Sequence, residues 1–373
     1  MTRTFLQRTL LATAALTLCG TLHAAETAAE TAAASPLERA RAMASTGNIA
    51  GAIEMLKGEA GKGSAEAANA LGELTLGGQG VKPSVVEAVR WFEKAAEASF
   101  PAGMLNLALI LRKGGEGVPA DPDKATFLMR AAAEEGFAPA QVACGQLAEE
   151  GGVDKGDMAA ARSWYEKAAA QENADGLLAL ARFLDNGIAG ERDAAKAFAA
   201  CRRAAVAGSI LALNEIGVRY QKGQGVEMDP ISAIGWFTVA SQRGLPAAHV
   251  NLGNCYEVGK GVLRDLDMAG SHYAAAAKQN FGPAQYLLAQ LFEQGKGAKG
   301  NPVYAYVNYT RAATNGVEAA AKKAAEMKEK LTAEQLAEAA KMISDANKPP
   351  APSAPAAPAT PESKSAKPAP KKK

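Results

Sequence analysis

Apolar and small residues recur along most of this chain in columns about 36 residues apart. One column reads Leu71, Leu107, Cys144, Leu180, Ile216, Leu252, Leu288. The residue after each is small: Gly72, Ala108, Gly145, Ala181, Gly217, Gly253, Ala289. Four residues before the first column lies another small set: Ala67, Gly103, Ala140, Gly176, Ala212, Ala248, Ala284. A fixed period of this length marks stacked supersecondary units, none of which buries its apolar face alone.

Each unit predicts two helices. In the fifth copy Ala212, Ile216, Gly217 and Tyr220 form one helical stripe, and Gly223-Gln224-Gly225-Val226 stops it. Asp229-Pro230 then supplies a cap and a first-turn proline. Ala233, Trp236, Phe237, Ala240 and Ser241 make the second stripe. The loop glycines recur as Gly78-Gln79-Gly80, Gly115-Glu116-Gly117, Gly259-Lys260-Gly261 and Gly295-Lys296-Gly297. Second-helix aromatics recur as Trp91-Phe92 and Trp164-Tyr165, with His272-Tyr273 and Asn308-Tyr309 as variants. The fourth copy has Ala200 and Cys201 in their place, and the third has a shortened loop at Gly151-Gly152-Val153. The expected fold is all-α: a right-handed α-α superhelix of stacked helix pairs.

The ends read differently. Arg3 and Arg8 precede the apolar run Leu10 to Cys19, and Leu22-His23-Ala24 offers a small residue at a cleavage point. That is the layout of a secretory signal peptide over residues 1–24, and the apolar run is too short to span a bilayer. Cys19 invites lipidation, but Leu18 before it is larger than lipoprotein signals take. The expected location is therefore periplasmic or secreted, with no transmembrane segment after cleavage. Residues 25–35 read as a flexible mature N-terminus, and 36–63 as a degenerate helix pair turning at Gly47-Asn48. Residues 318–346 read as capping helices, with Thr332 able to cap the last. Residues 347–373 are Pro, Ala, Lys and Ser with little to bury, a composition that predicts disorder.

Charge follows this division. The whole chain carries a formal +2. Six lysines and Glu362 give the tail about +5 and the leader adds about +2, leaving a body of about −5. An acidic body behind an export signal argues against nucleic-acid partners. After the leader only Cys144, Cys201 and Cys255 remain, an odd, widely spaced set that argues against a disulfide framework.

Candidate chemistry is sparse. No serine is followed three positions later by lysine, no His-Glu-x-x-His pair occurs, and no Walker loop occurs. The Gly-x-Gly turns join helix to helix, so they read as helix stops rather than phosphate cradles. Asp121-Pro122-Asp123 and Asp185-Asn186-Gly187 lack calcium-loop spacing and read as caps and turns. His249 and His272 have no ligand partner at metal-binding spacing. Neither an enzyme nor a cofactor or metal site is expected.

The motifs resemble the Sel1-like repeat family, relatives of the tetratricopeptide repeats. The matching elements are Leu252-Gly253 to Tyr256 and Ile216-Gly217 to Tyr220 in the first helix, Gly-x-Gly-Val in the loop, and Ala-x-x-Trp-[Phe/Tyr]-x-x-Ala-Ala in the second helix. Seven copies cover residues 64–317. The resemblance implies an α-solenoid adaptor of the kind found in bacterial envelope or signalling assemblies. A cysteine-rich secreted branch carries a disulfide in each repeat, which this chain lacks. The resemblance also implies an inner wall two residues before and two after the leucine column. Those positions are Asn69 and Glu73, Leu105 and Leu109, Val142 and Gln146, Leu178 and Arg182, Asn214 and Val218, Val250 and Asn254, Tyr286 and Gln290. Of these, Asn69, Glu73, Gln146, Arg182, Asn214, Asn254, Tyr286 and Gln290 are the candidate partner-binding residues. The implied function is a non-enzymatic scaffold binding a protein or peptide partner in the cell envelope. The alternatives are a peptidoglycan- or carbohydrate-binding protein, with the basic tail holding cell-wall polymer, and, third, a hydrolase of cell-wall or β-lactam substrates.

Overall fold

The computed structural model describes residues 35–151, 156–296 and 300–346. The expected signal peptide with Cys19, the stretch from there to residue 34, the basic tail, part of the third-copy loop and Gly297 of the seventh-copy loop lie outside the described residues. Within them the chain forms eighteen helices and no strand beyond an isolated Gly115–Val118 bridge. A first pair is α1 (Pro36–Ser45) and α2 (Ile49–Gly61). Seven further pairs follow: α3 (Ala65–Gly77) with α4 (Val85–Glu97), α5 (Pro101–Leu111) with α6 (Pro122–Glu134), and α7 (Ala138–Glu149) with α8 (Met158–Ala170). Next come α9 (Ala174–Asn186) with α10 (Ala194–Val206), and α11 (Ile210–Lys222) with α12 (Pro230–Gln242). The last two are α13 (Pro246–Val258) with α14 (Leu266–Lys278), and α15 (Gly282–Gln294) with α16 (Pro302–Thr314). Helices α17 (Glu318–Lys328) and α18 (Ala333–Ala346) close the described chain. The chain divides into two compact units, one running to Ala248 with Lys260–Val262, the other holding His249–Gly259 and everything from Leu263.

Local signals set the helix ends. Every second helix of the seven pairs opens on a side-chain cap: Ser84, Asp121, Asp157, Asp193, Asp229, Asp265 and Asn301. These oxygens accept from N–H groups that would otherwise lack partners in the first turn. First helices end on left-handed Gly78, Gly187, Gly223 and Gly295. In the second copy the left-handed residues are Gly114 and Gly117, one position from the expected Gly115, which instead pairs with Val118. Thr332 caps α18 as expected, accepting from the Gln335 amide at 3.2 Å. A left-handed residue also marks each junction into the next pair, and three of these are not glycine: Ser99, Glu172 and Asn280.

The core is an interlock of small residues and rings. Gly72, Gly145, Gly217 and Gly253 each face a buried ring from the paired helix: Phe92, Tyr165, Phe237 and Tyr273. A Cβ added at these glycines would lie 2.4–2.6 Å from a ring carbon. Where the glycine becomes alanine in the fourth copy, the ring becomes the smaller Cys201, whereas the seventh copy keeps Tyr309 with Ala289. The earlier small column performs the same service between pairs. A Cβ on Gly103 would meet Ala95 at 2.4 Å, and one on Gly176 would meet Ala168 at 2.6 Å.

The second loop glycine has its own reason. Gly225 has φ +72° and lies so close to the start of α10 that a Cβ would be 1.9 Å from the Ala194 carbonyl oxygen. Gly80 stands in the same relation to Ile49 at the start of α2, so α1–α2 offers the first repeat the surface that each later repeat receives from its predecessor.

Two details depart from the sequence reading. Leu180 and Leu288 are half-buried, whereas the other five members of the leucine column are buried. Of each Trp-aromatic pair, the second residue is the core one. Trp91, Trp164 and Trp236 are half-buried and pack against clusters shared with the preceding helix pair. Lys94 and Lys167 cover the Trp91 and Trp164 rings at 4.6 and 4.0 Å from the centroids. The three remaining cysteines are buried and not joined by disulfides, and Cys144 packs among leucines and alanines.

These sockets give a signed prediction. Gly217→Ala and Gly253→Ala should each lower stability by about 1–3 kcal/mol through overpacking. Gly235→Ala, where an added Cβ meets nothing within 4 Å, should raise it by about 0.5–1 kcal/mol. Urea unfolding of the three variants checks both signs.

Candidate functional site

In the first unit, consecutive first helices touch one another directly: α1 to α3, α3 to α5, α5 to α7 and α7 to α9. Their exposed edges therefore form a continuous wall, and the helical period decides which side chains face out. The row two residues after the leucine column is the open one. Gln146 and Arg182 are exposed in the first unit, where Glu73 is half-buried; at the equivalent positions of the second unit Asn254 is exposed and Gln290 half-buried. The row two residues before it turns inward. Asn69, Leu105 and Val142 are buried; Asn214 and Tyr286 are half-buried. The eight candidate residues thus split between an accessible row and a row committed to packing. Asn69 belongs to the second group, because its position faces the neighbouring first helix.

Polar groups on this wall pair from one repeat to the next. Asn106 donates to Asn69 at 2.9 Å and to Glu73 at 3.2 Å, and Asn69 donates to Glu73 at 3.0 Å. Arg112 pairs with Glu150. Arg182 donates to both oxygens of Glu149, at 2.6 and 2.7 Å. Arg219, only 1 % exposed, makes a forked pair with Asp185. Its Nε lies 3.5 Å from Glu215 without a hydrogen bond. A buried guanidinium needs such a partner because removing it from water unpaired costs several kcal/mol. Asp185 and Asp121, the faint calcium-loop positions, are thereby an ion-pair partner and a helix cap.

A second pattern links the ring sockets to the wall. Tyr165, Tyr273 and Tyr309 donate to Glu149, Glu257 and Glu293 at 2.5, 2.8 and 2.6 Å. Each glutamate lies five residues after the leucine column. Copies with phenylalanine in the socket have Leu76 or Gln221 there instead. A buried hydroxyl demands an acceptor and a buried phenyl does not. Burial, then the neighbouring carboxylate, pushes all three phenols well above the usual range, so they stay protonated. Sequence reading missed this pairing, although Glu and Tyr vary together between copies. Burial likewise pushes the Cys201 thiol up to about 11, leaving it no thiolate at neutral pH.

The second unit holds a histidine pair. His249 Nδ1 and His272 Nδ1 are 3.2 Å apart, and Tyr256 stacks on His272 with ring centroids 5.5 Å apart. Burial lowers the pKa of both, and the charge of His249 lowers that of His272 further. Among the described residues, no three His, Cys, Asp or Glu side chains are grouped to hold a metal ion. No described helix is long and apolar enough to cross a membrane.

The histidine pair makes stability pH-dependent with a defined sign. Both groups bind protons less readily folded than unfolded, so their contribution is full above about pH 6.5 and is lost as pH falls through the lowered folded values. Urea midpoints measured from about pH 8 down to pH 5 should therefore fall. His272→Trp, the residue type at 91, 164 and 236, should flatten that slope.

Comparisons with known proteins agree with this architecture. Among solved structures, a Sel1 repeat protein from Oxalobacter formigenes superposes with a TM-score of 0.58 at 25% identity, covering 82% of this chain and 97% of that one. A protective antigen of uropathogenic Escherichia coli displaying an SLR fold gives 0.59 at 28% identity, over 79% of this chain and 64% of that one. The fission yeast (Schizosaccharomyces pombe) chitin synthase regulatory factor 3 is 30% identical over 178 residues, which is 45% of this chain. That match spans only 19% of the yeast protein's length, and the present chain spans under two thirds of the E. coli antigen. The Sel1 repeat family matches residues 65–100, 101–137, 138–173, 174–208, 210–245, 246–281 and 282–317. Seven matched repeats, each a helix pair, make this chain a member of the Sel1 repeat family.

Proposed function

We propose that this chain is an exported, non-enzymatic scaffold that captures a protein partner in the bacterial cell envelope through the first-helix wall. One observation carries the reading. The charged groups of the first unit's wall are largely spent on one another, while Gln146 there and Asn254 at the equivalent position of the second unit remain exposed. A row of neutral amides on rigid helices can hydrogen-bond an extended peptide or a partner helix without a large desolvation cost. The Arg3–Ala24 leader supports export, and the E. coli relative's description as a protective antigen accords with it. The buried phenols and the thiol of Cys201 are held in their inert protonated forms, which supports a binding rather than a catalytic role.

A cell-wall polymer held by residues 348–373 is the second reading, favoured by the six lysines there. Co-sedimentation with purified peptidoglycan separates the two, since deleting that segment abolishes it only on the second reading.

The wall itself is tested by Gln146→Trp, Asn254→Arg and Gln290→Trp, singly and together. In-cell crosslinking followed by mass spectrometry should show partner capture falling about tenfold in the triple variant, with the unfolding midpoint nearly unchanged. Capture that survives all three substitutions would rule the wall out.

A further inference from the structure

The first helix pair and the first repeat enclose a cleft of about 250 Å³, the share of roughly eight liquid waters. Leu37, Ile53, Leu56 and Leu74 give it apolar walls. Glu73 stands among them on α3, and it is the only acid in its row: the equivalent residues are Leu109, Gln146, Arg182, Val218, Asn254 and Gln290. Its hydrogen bonds come from the neutral amides of Asn69 and Asn106, at 3.0 and 3.2 Å. A carboxylate drawn from water and met only by neutral donors keeps most of its charge uncompensated. Burial accordingly raises its proton affinity, and the positive charge of Arg41 opposes this as the smallest of the influences on it. Glu66 also lines the cleft, so its charged groups sum to one negative.

We propose that this cleft receives a basic segment of the partner protein, with an apolar side chain on the leucine walls and an adjacent lysine or arginine on Glu73. The proposal deepens the scaffold reading and rests on it, since the partner is the protein held by the first-helix wall. Water leaving apolar surface drives the insertion. The cation supplies the compensation that the amides do not, and the Asn69–Asn106 pair fixes the carboxylate where the cation must arrive. An acidic segment would meet Glu66 and Glu73 unfavourably, so the same geometry excludes it.

The test is selection of phage-displayed random dodecapeptides on the full chain, on Glu73→Gln and on Ala70→Trp. Glutamine keeps an oxygen to accept from both asparagines, and tryptophan at Ala70, a residue of the cleft wall, puts an indole where the peptide's apolar side chain would sit; the unfolding midpoint of that variant checks that it folds. Wild-type selections should converge on Lys or Arg beside an aliphatic or aromatic residue. A representative peptide should lose about tenfold in affinity to Glu73→Gln and bind Ala70→Trp no better than background. Replacing the peptide's basic residue with glutamine should cost as much on the wild type and little on Glu73→Gln. Selected peptides without a basic position, affinity indifferent to Glu73→Gln, or failure to retain any peptide would overturn the proposal. Peptides lost with Gln146→Trp but not with Glu73→Gln would leave the wall reading standing and remove this one.

Discussion

The structure depends on a ring seated in a notch that has no side chain. Within a pair, Phe92, Tyr165, Phe237 and Tyr273 lie where a Cβ of Gly72, Gly145, Gly217 and Gly253 would be. Helices that approach this closely bury a full aromatic surface, worth about 1.5–3 kcal/mol each. The exchange is local and cannot by itself cover the outer stripe of either helix. The Ala95–Gly103 and Ala168–Gly176 contacts cover that stripe by bringing the next pair equally close. One steric rule, small against large within a pair and small against small between pairs, thus produces the stack.

Close approach has an electrostatic consequence. First helices near enough to touch bring their side chains within reach across a spacing of 33 to 38 residues. The wall is cross-linked by Asn69–Asn106, Arg112–Glu150, Glu149–Arg182 and Asp185–Arg219 for that reason. Glu149 takes the Tyr165 hydroxyl as well, so core socket and wall share an acceptor. On the scaffold reading proposed above, a partner meeting this face meets charges already neutralised, and recognition falls to the amides and to any group the ladder leaves uncompensated.

The columns made the architecture legible before any coordinates. Period, caps and loop glycines marked every helix pair from 65 to 317, because each rests on a short-range rule: a capping oxygen, a left-handed glycine, a 3.6-residue stripe. What was not legible required knowing which residues meet. That Phe92 rather than Trp91 is the core ring depends on the angle at which the second helix lies on the first. That Asn69 is buried depends on its neighbour Asn106, 37 residues away. Arg219 drew no attention in the sequence, since a basic residue near a helix end is ordinarily solvated; its forked pair with Asp185 across the interface, with Glu215 nearby, accounts for its burial.

A regular repeat also turns its exceptions into information. If every copy met the same demands, Glu and Tyr would appear together in each, and the row after the leucine column would be uniform. Instead the Glu–Tyr pair occurs only where a hydroxyl needs an acceptor, so those glutamates are accounted for by the core. Glu73 has no such account, since the ring socket beneath it is Phe92 and its partners are amides that any polar residue could satisfy. A half-buried acid at the one row position where six other copies manage without it is bonded across the repeats only by the neutral amide of Asn106, which leaves most of its charge unmatched. Arg41 in the same cleft offsets that charge least of the influences on it, and on the proposal above a cation of the partner enters the cleft to complete the compensation.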